Sequence, residues 1–469
     1  MSETETKPAT RVERDSMGEM EVPADALYGA STQRAVINFP ISGQRFPRRF
    51  IRAQALIKQA AAEVNADLGL LDADRAAAIS AAAAEVADGA HDEHFPIDVY
   101  QTGSGTSTNT NFNEVIARLA GQRLGARVHP NDDVNKCQSS NDTIPSAMQL
   151  AAAQAIEEQL LPGLERLRAA LAARADEFMP VVKTGRTHLQ DATPVRLGQE
   201  FSGYAGQVEE SIRRARQARD ELVVIPLGGT AVGTGINAHP DYARLACERL
   251  SALTGLDVRE TSNHFHAQAA LDAVIAAHGA VRTVALSLWK VASDIRLMGM
   301  GPRAGLAELA LPETQPGSSI MPGKVNPVIV ESLTMVVARV VGNDATIGFA
   351  QTGSFLELNV MMPVAAVAML ESIDLLGNSA RNFSERCVEG LQATERGPEL
   401  VEKGLMLATA FAPVVGYDEA AKMAKEALRT GRTIRELARE RGFSEEDLDR
   451  IIDPAKLTEP GLEGGPAGG

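Results

Sequence analysis

Residues 144–178 read IPSAMQLAAAQAIEEQLLPGLERLRAALAARADEF. Apolar side chains return every three or four positions along this stretch, the spacing of an amphipathic helix. One long helix is predicted, bent near Pro162, because proline lacks the donor and crowds the preceding turn. The same texture recurs downstream. A second long helix is predicted from Pro194, a first-turn position after a Thr193 cap. A third covers residues 263–300, interrupted only by Gly279, on the order of 50 Å long at the helical rise. Two more are expected over residues 327–348 and 363–391. Five long helices in mid-chain read as a central bundle, so the fold class is mainly α.

The flanks differ. RFIRAQALIKQAAAEVNADLG and DRAAAISAAAAEVADGA show helical periodicity on the N-terminal side. Past Gly397, DEAAKMAKEALRTGRTIRELARERG predicts two small helices joined at Gly431. Residues 1–15 are polar and expected to be disordered, and GLEGGPAGG is expected to be a flexible end. We divide the chain into an N-terminal mostly helical part (1–141), a central long-helix part (142–396) and a small C-terminal helical part (397–469).

Composition narrows the chemistry. The 469 residues are 44 % hydrophobic and only 4 % aromatic, which favours close helix packing through Ala, Leu, Val and Ile. A formal charge of −15 argues against nucleic acid. It also means that an anionic ligand would need local donors to overcome the overall field. Cys137, Cys247 and Cys387 are far apart and form no CxxC pair, so a reducing cytoplasm is the expected compartment. No secretory signal and no run of about 18 apolar residues is present, so no membrane partner is expected.

Some motifs mislead. GTGINA, residues 233–238, matches a dinucleotide pattern after the strand-like LVVIPLGG, but no βαβ unit is expected around it, and a turn-rich connection is the better reading. GSSIMPGKV resembles a phosphate loop but has five residues between its glycines and Val325 after the lysine. In HDEHF, His91 and His94 have metal-ligand spacing without an apparent third ligand, so a solvated helix end is expected.

Four polar, Gly/Pro-marked patches remain: QTGSGTSTNTNFNE, HPNDDVNKCQSSND, TGRTHLQDATP and PGSSIMPGKVNP. Each is expected to lead into a helix, whose free N–H groups and partial positive charge suit a carboxylate. In the fourth, Asn326 would be the N-cap, Pro327 the first helical residue and Lys324 a full charge beside the dipole. Hydroxyls, amides, one histidine and two cations fit a small polyanionic organic acid.

GSSIMPGKVNP resembles the signature of the fumarase/aspartase superfamily, and the likeness runs from VPADALYGASTQRA through GYDEAAKMAKEAL. Within it the chain is most similar to the iron-independent (class II) fumarate hydratases: His188 in GRTHLQDATP stands where aspartate ammonia-lyases typically have Gln. GGTAVGTGIN and HPNDDVN also resemble the hydratase versions. The resemblance implies a three-domain fold with a central five-helix bundle. It also implies a homotetramer with a twenty-helix core, and active sites built from three chains. The implied reaction is reversible hydration of fumarate to (S)-malate through an aci-carboxylate carbanion, with no cofactor and no metal.

The resemblance assigns proton removal to Ser318, with backbone N–H groups of residues 317–323 stabilising its oxyanion. His188 would handle the departing hydroxyl, partnered by Glu331, and Lys324 and Asn326 would stabilise the aci-carboxylate. Glu331 is equally compatible with a favourable early-turn charge. Substrate binding carries over to Ser104, Gly105, Thr106, Ser139, Ser140, Asn141, Thr187, Ser319, Lys324, Val325 and Asn326. His129, Asn131 and Asp132 match a second dicarboxylate site of the family, or His129 caps the following helix. An aspartate ammonia-lyase and a non-catalytic scaffold are the competing readings.

Overall fold

Alanine-rich helices need neighbours that come close, and the N-terminal part provides them. In the computed structural model, which describes residues 9–461, helix Arg48–Asp67 buries Phe50, Ile51, Ala55, Ile57 and Ala61. It packs on helix Ala73–Asp88, whose inner face carries Ala76, Ile79, Ala83 and Val86. Small side chains on both faces let the axes approach to ridge-into-groove distance. Asp72 caps the second helix by accepting from the Asp74 and Arg75 amides, and Gly89 ends it in the left-handed region at φ 91°.

Helices make up 63 % of the chain. The Cα trace divides into two units, one of residues 1–162, 213–285 and 337–377, the other of residues 163–212, 286–336 and 378–469. The junctions at 162/163, 212/213, 285/286, 336/337 and 377/378 all fall inside long helical stretches. In the first unit, fully buried His278 lies between Asp344 and Ser372, its Nδ1 and Nε2 each 2.9 Å from an oxygen. In the second, Leu407, Phe411, Met423, Leu437, Leu448 and Ile452 form a small core under the C-terminal helices. Helices Tyr417–Thr430 and Ile434–Glu440 meet at Gly431, as the periodicity predicts.

Several boundaries differ from expectation. Residues 10–15 are not disordered: Thr10–Asp15 pairs antiparallel with Gly18–Pro23. Residues 1–8 and 462–469, including most of the expected flexible end, lie outside the described residues. The irregularity near Pro162 comes earlier. Helix Ser140–Ala155 widens into a π segment, Ile156–Leu160, where the Leu161 amide reaches the Ile156 carbonyl, before helix Leu161–Phe178 resumes. The extra residue makes room for the ring one turn before it clashes.

Pro194 begins no helix. It lies in strand Gln190–Arg196, opposite Thr184 of strand Val182–Thr187, and the helix runs Leu197–Leu222. A two-stranded sheet has only edges, where proline is tolerated. The expected 263–300 helix is two, His264–Ala269 and Asp272–Met298, broken by the extended Ala270 rather than at Gly279. Helix Met362–Arg386 ends before Leu391, in a short 3-10 turn. GTGINA does lie in a parallel crossover: strands Val224–Ile225 and Arg259–Glu260 flank helix Tyr242–Thr254. The strands are two residues long, however, and the motif ends four residues before the helix, so it remains a run of turns.

Helix Asp272–Met298 is long and apolar enough to meet the criteria of a membrane span by length and composition. It nevertheless pairs His278 and Arg282 with Asp344, and Lys290 with Asp294.

Candidate active site

The first unit brings two of the four patches together. Helices Thr106–Leu124 and Ser140–Ala155 start side by side, joined by hydroxyls: Thr106 Oγ1 lies 2.7 Å from Ser104 Oγ and 2.8 Å from Ser140 Oγ. Gly105 makes this approach possible. Its φ is +70°, and a Cβ there would lie 2.8 Å from Ile144 Cγ2. Ser139 caps the second helix in a capping box with Asp142. Asn141 donates through Nδ2 to the Ala231 carbonyl at 2.8 Å, and Ser140 Oγ reaches Asn141 Oδ1 at 3.3 Å. Two helix N-termini ringed by hydroxyls and amides have the partial positive charge that suits a carboxylate, although the Thr108, Ser139 and Asn141 amides are already bonded to Gln101, Asp142 and Ser139 side chains. Cys137 beside them is buried with φ +61°, and burial pushes its thiol pKa up, so it is no thiolate nucleophile.

His129 Nδ1 accepts from the Asn131 amide at 3.3 Å and the Asp132 amide at 3.1 Å, so the ring caps the π turn Pro130–Val134. Asn131 and Asp132 are exposed.

The second unit carries the other two patches. Strands Val182–Thr187 and Gln190–Arg196 pair Thr187 with Gln190, so His188 and Leu189 are the whole turn. Their φ values of +54° and +60° are those of a type I′ hairpin, where Asn-Gly is the usual choice. A histidine held there, exposed at the tip, is a local strain of the kind that marks functional positions. The hairpin is anchored from below. Glu308, 1 % exposed, faces Lys183 Nζ at 3.3 Å and Arg186 Nη1 at 2.9 Å, and Lys183 also meets Glu200 at 3.0 Å. Burial raises the Glu200 pKa, against the pull of Lys183.

The loop over residues 316–327 is closed by its own backbone. The Gly317 amide donates to the Lys324 carbonyl at 2.7 Å, and a Cβ on Gly317 would lie 2.4 Å from that oxygen. Ser318 Oγ accepts two backbone N–H bonds, from Ile320 at 3.2 Å and Met321 at 2.9 Å. Both donors lie within the next three residues, so the serine oxygen is held by its own turn. Lys324 Nζ donates to Asn326 Oδ1 at 2.8 Å, and Asn326 Nδ2 donates to the Gly317 carbonyl. The Asn326 side chain is therefore occupied within the loop and does not cap the helix. Helix Val328–Ala350 starts one residue later than expected, and the Pro327 carbonyl accepts its first bond, from the Glu331 amide. Ser319, Lys324, Val325 and Glu331 are exposed. Among the described residues no hydrogen bond joins His188 to Glu331.

A third candidate ligand does stand beside His91 and His94: their ring nitrogens and a Glu93 oxygen lie within 4.8 Å of one another. The Leu27 amide donates to His94 Nδ1 at 3.4 Å, which leaves the proton on Nε2, 3.3 Å from Glu93. His91 Nε2 faces Glu85 at 3.4 Å, so each imidazole of the trio stands beside a carboxylate. Asp142 joins no motif of the site in the sequence, and its one signal there is the helix-start signature of Ser139 followed by an acid three residues on.

Comparison with known proteins points to one family. Residues 18–342 match the family described as Lyase, and residues 407–459 match the Fumarase C C-terminus. The chain is 52 % identical to fumarate hydratase class II 2 of Bradyrhizobium diazoefficiens, over 97 % of this chain and 98 % of that one. It is 54 % identical to fumarate hydratase class II of Mycobacterium tuberculosis, over 94 % and 95 %. Among solved structures, recombinant class II fumarase from Schistosoma mansoni is 39 % identical with a TM-score of 0.94, covering 96 % of this chain and 99 % of its own. Fumarate lyase:delta crystallin from Brucella melitensis, bound to cobalt, is 43 % identical with a TM-score of 0.93, covering 96 % and 100 %.

Proposed function

We propose a division of labour among the residues of this chain, which belongs to the class II fumarate hydratase family. The protein is a hydro-lyase that interconverts fumarate and (S)-malate. Carbon 3 of malate is a very weak acid, and its carbanion survives only as an aci-carboxylate with two negative charges on one carboxyl group. Catalysis must favour that species over bound malate.

In the proposed mechanism the Ser318 oxyanion takes the carbon 3 proton, stabilised by the Ile320 and Met321 amides. The electron pair moves into the adjacent carboxyl group, where the Lys324 ammonium and the Asn326 amide meet the new charge. It then returns to form the carbon–carbon double bond as the hydroxyl leaves carbon 2. His188, directly or through a water and polarised by Glu331, supplies the proton that turns the hydroxyl into water. Ser104, Gly105, Thr106, Ser139, Ser140, Asn141, Thr187, Ser319 and Val325 hold the two carboxylates. The observation that carries this reading is the pair of N–H bonds on Ser318 Oγ, within a loop whose cation, Lys324, is linked through the Asn326 side chain to the Gly317 carbonyl.

We further propose a homotetramer whose sites combine residues of three chains, and keep His129, Asn131 and Asp132 as a second dicarboxylate site. The bare His188 tip supports the shared site, as do Trp289, Met335 and Phe349, 47 %, 68 % and 66 % exposed on long helices. The cytoplasm as compartment rests on three free, buried cysteines. The test is ultraviolet absorbance after adding malate, since the conjugated product absorbs and malate hardly does. An absorbance rise with malate and none with aspartate supports the hydratase; the reverse result supports the ammonia-lyase. A fully active isolated monomer would contradict the shared site.

A further inference from the structure

Beneath the Ser139–Asn141 patch lies a buried cation that the chemistry above does not use. Lys58 is wholly buried, and its Nζ donates to Asn135 Oδ1 and Gln138 Oε1, each at 2.9 Å. Asn135 Oδ1 also accepts from Asn109 Nδ2 at 3.1 Å, and Asn109 Oδ1 from Gln54 Nε2 at 3.0 Å and Thr143 Oγ1 at 3.3 Å. These acceptors are neutral amides. The compensating charge is Asp142, equally buried, whose field opposes the downward push of burial that takes Lys58 to about 7.

Asp142 works as a three-way clamp. Its Oδ1 accepts from the Ser139 amide at 2.9 Å, and its Oδ2 accepts from the Gly228 and Thr230 amides, each at 3.0 Å. Burial pushes the Asp142 pKa up, opposed by these backbone bonds and by the Lys58 charge, and three N–H donors converging on its two oxygens suit a carboxylate. The clamp fixes the start of helix Ser140–Ala155 to the Gly228–Ala231 backbone, where Ala231 in turn receives Asn141 Nδ2.

A carboxylate at this position also creates a difficulty. It takes up the positive end of the very helix that is to receive a substrate anion. The structure assigns Lys58 and Asp142 to one positioning pair for the dicarboxylate: Asp142 sets the places of Ser139, Ser140 and Asn141, and Lys58 cancels the charge Asp142 brings. The assignment rests on reading that patch as substrate-binding.

The test uses the assembled full-length enzyme, with KM and kcat for malate measured alongside calorimetric binding of succinate, a non-reacting dicarboxylate. Lys58→Met leaves an uncompensated negative charge below the site and is expected to raise KM and the succinate Kd about tenfold, more than it lowers kcat; that is about 1.4 kcal/mol. Because that variant removes a buried group, Gln138→Glu gives a second reading. It keeps the size of the side chain and engages Lys58 in an ion pair, gives up the Nε2 bonds to the Val134 and Lys136 carbonyls, and should raise KM in the same sense. Folded Gln138→Glu enzyme with unchanged KM and succinate affinity would overturn the assignment. So would a loss confined to kcat. A wild-type enzyme that binds succinate but does not turn over malate would instead overturn the hydratase reading.

Discussion

Replacing Glu308 with Gln tests how the His188 hairpin is held. Glu308 is the carboxylate shared by Lys183 and Arg186, at 3.3 Å and 2.9 Å, with Glu308 1 % and Lys183 2 % exposed. Removing one partner of a buried ion pair costs about 3–5 kcal/mol, because the other charge is left dry and uncompensated. Two features place the cost near the low end. Lys183 keeps Glu200 at 3.0 Å, and a glutamine oxygen still accepts one bond. Taking ~3 kcal/mol and an unfolding entropy of about 2.1 cal/mol/K per residue, a 469-residue chain melting as one unit loses roughly 3 °C in Tm. Glu200→Gln, at a carboxylate 25 % exposed, should cost less. Differential scanning calorimetry measures both, and malate turnover measures the consequence: kcat should fall as the hairpin bearing His188 loosens. An unchanged Tm and unchanged kcat in Glu308→Gln, or a larger effect in Glu200→Gln, would refute the anchoring role.

His188→Asn, whose side chain tolerates the left-handed turn, should leave the melting temperature near wild type and lower kcat by about 10²–10⁴; undiminished turnover would remove His188 from the mechanism. Gly105→Ala forces a Cβ to within 2.8 Å of Ile144 at φ +70°. The expected cost is about 2–5 kcal/mol from strain and overpacking together, read from the denaturant midpoint with a parallel rise in KM. Burial works against the Asp98 carboxylate, yet bonds from the Tyr100, Ser42 and Gly43 amides and the Ser42 hydroxyl hold its pKa below the ordinary value. A depressed folded pKa contributes stability that is complete above the unfolded value and lost as pH falls through the folded one. Asp98→Asn should therefore lower stability at neutral pH and flatten the acid side of the stability curve below about pH 4, as followed by urea melts at several pH values.

Helix-rich architecture was legible because periodicity survives in a chain whose core is mostly alanine and leucine. Boundaries were less so, and each error has a local cause. Pro194 carries the same first-turn signal in an edge strand as in a helix, and only its pairing with Thr184 decides between them. Ala270 breaks residues 263–300 without any glycine or proline to announce it. At the site, the hydroxyl and amide patches were visible from composition. The joining of Ser104, Thr106 and Ser140 across 34 positions was not, since it depends on two helices starting side by side. Lys58 was invisible for the opposite reason. It sits in an apolar-periodic stretch where a lysine reads as solvent-facing, and only Asn135 and Gln138, with the charge of Asp142, make its burial tolerable.

The account turns on a positive charge at the Ser318 loop meeting an aci-carboxylate. Lys324→Met keeps the length of the side chain and removes that charge while leaving the Gly317–Lys324 backbone bond in place. Malate dehydration by the assembled variant, followed by ultraviolet absorbance, should show kcat reduced by at least about 10²–10³, the scale of losing one transition-state donor, with Tm unchanged. Wild-type kcat in that variant would contradict it.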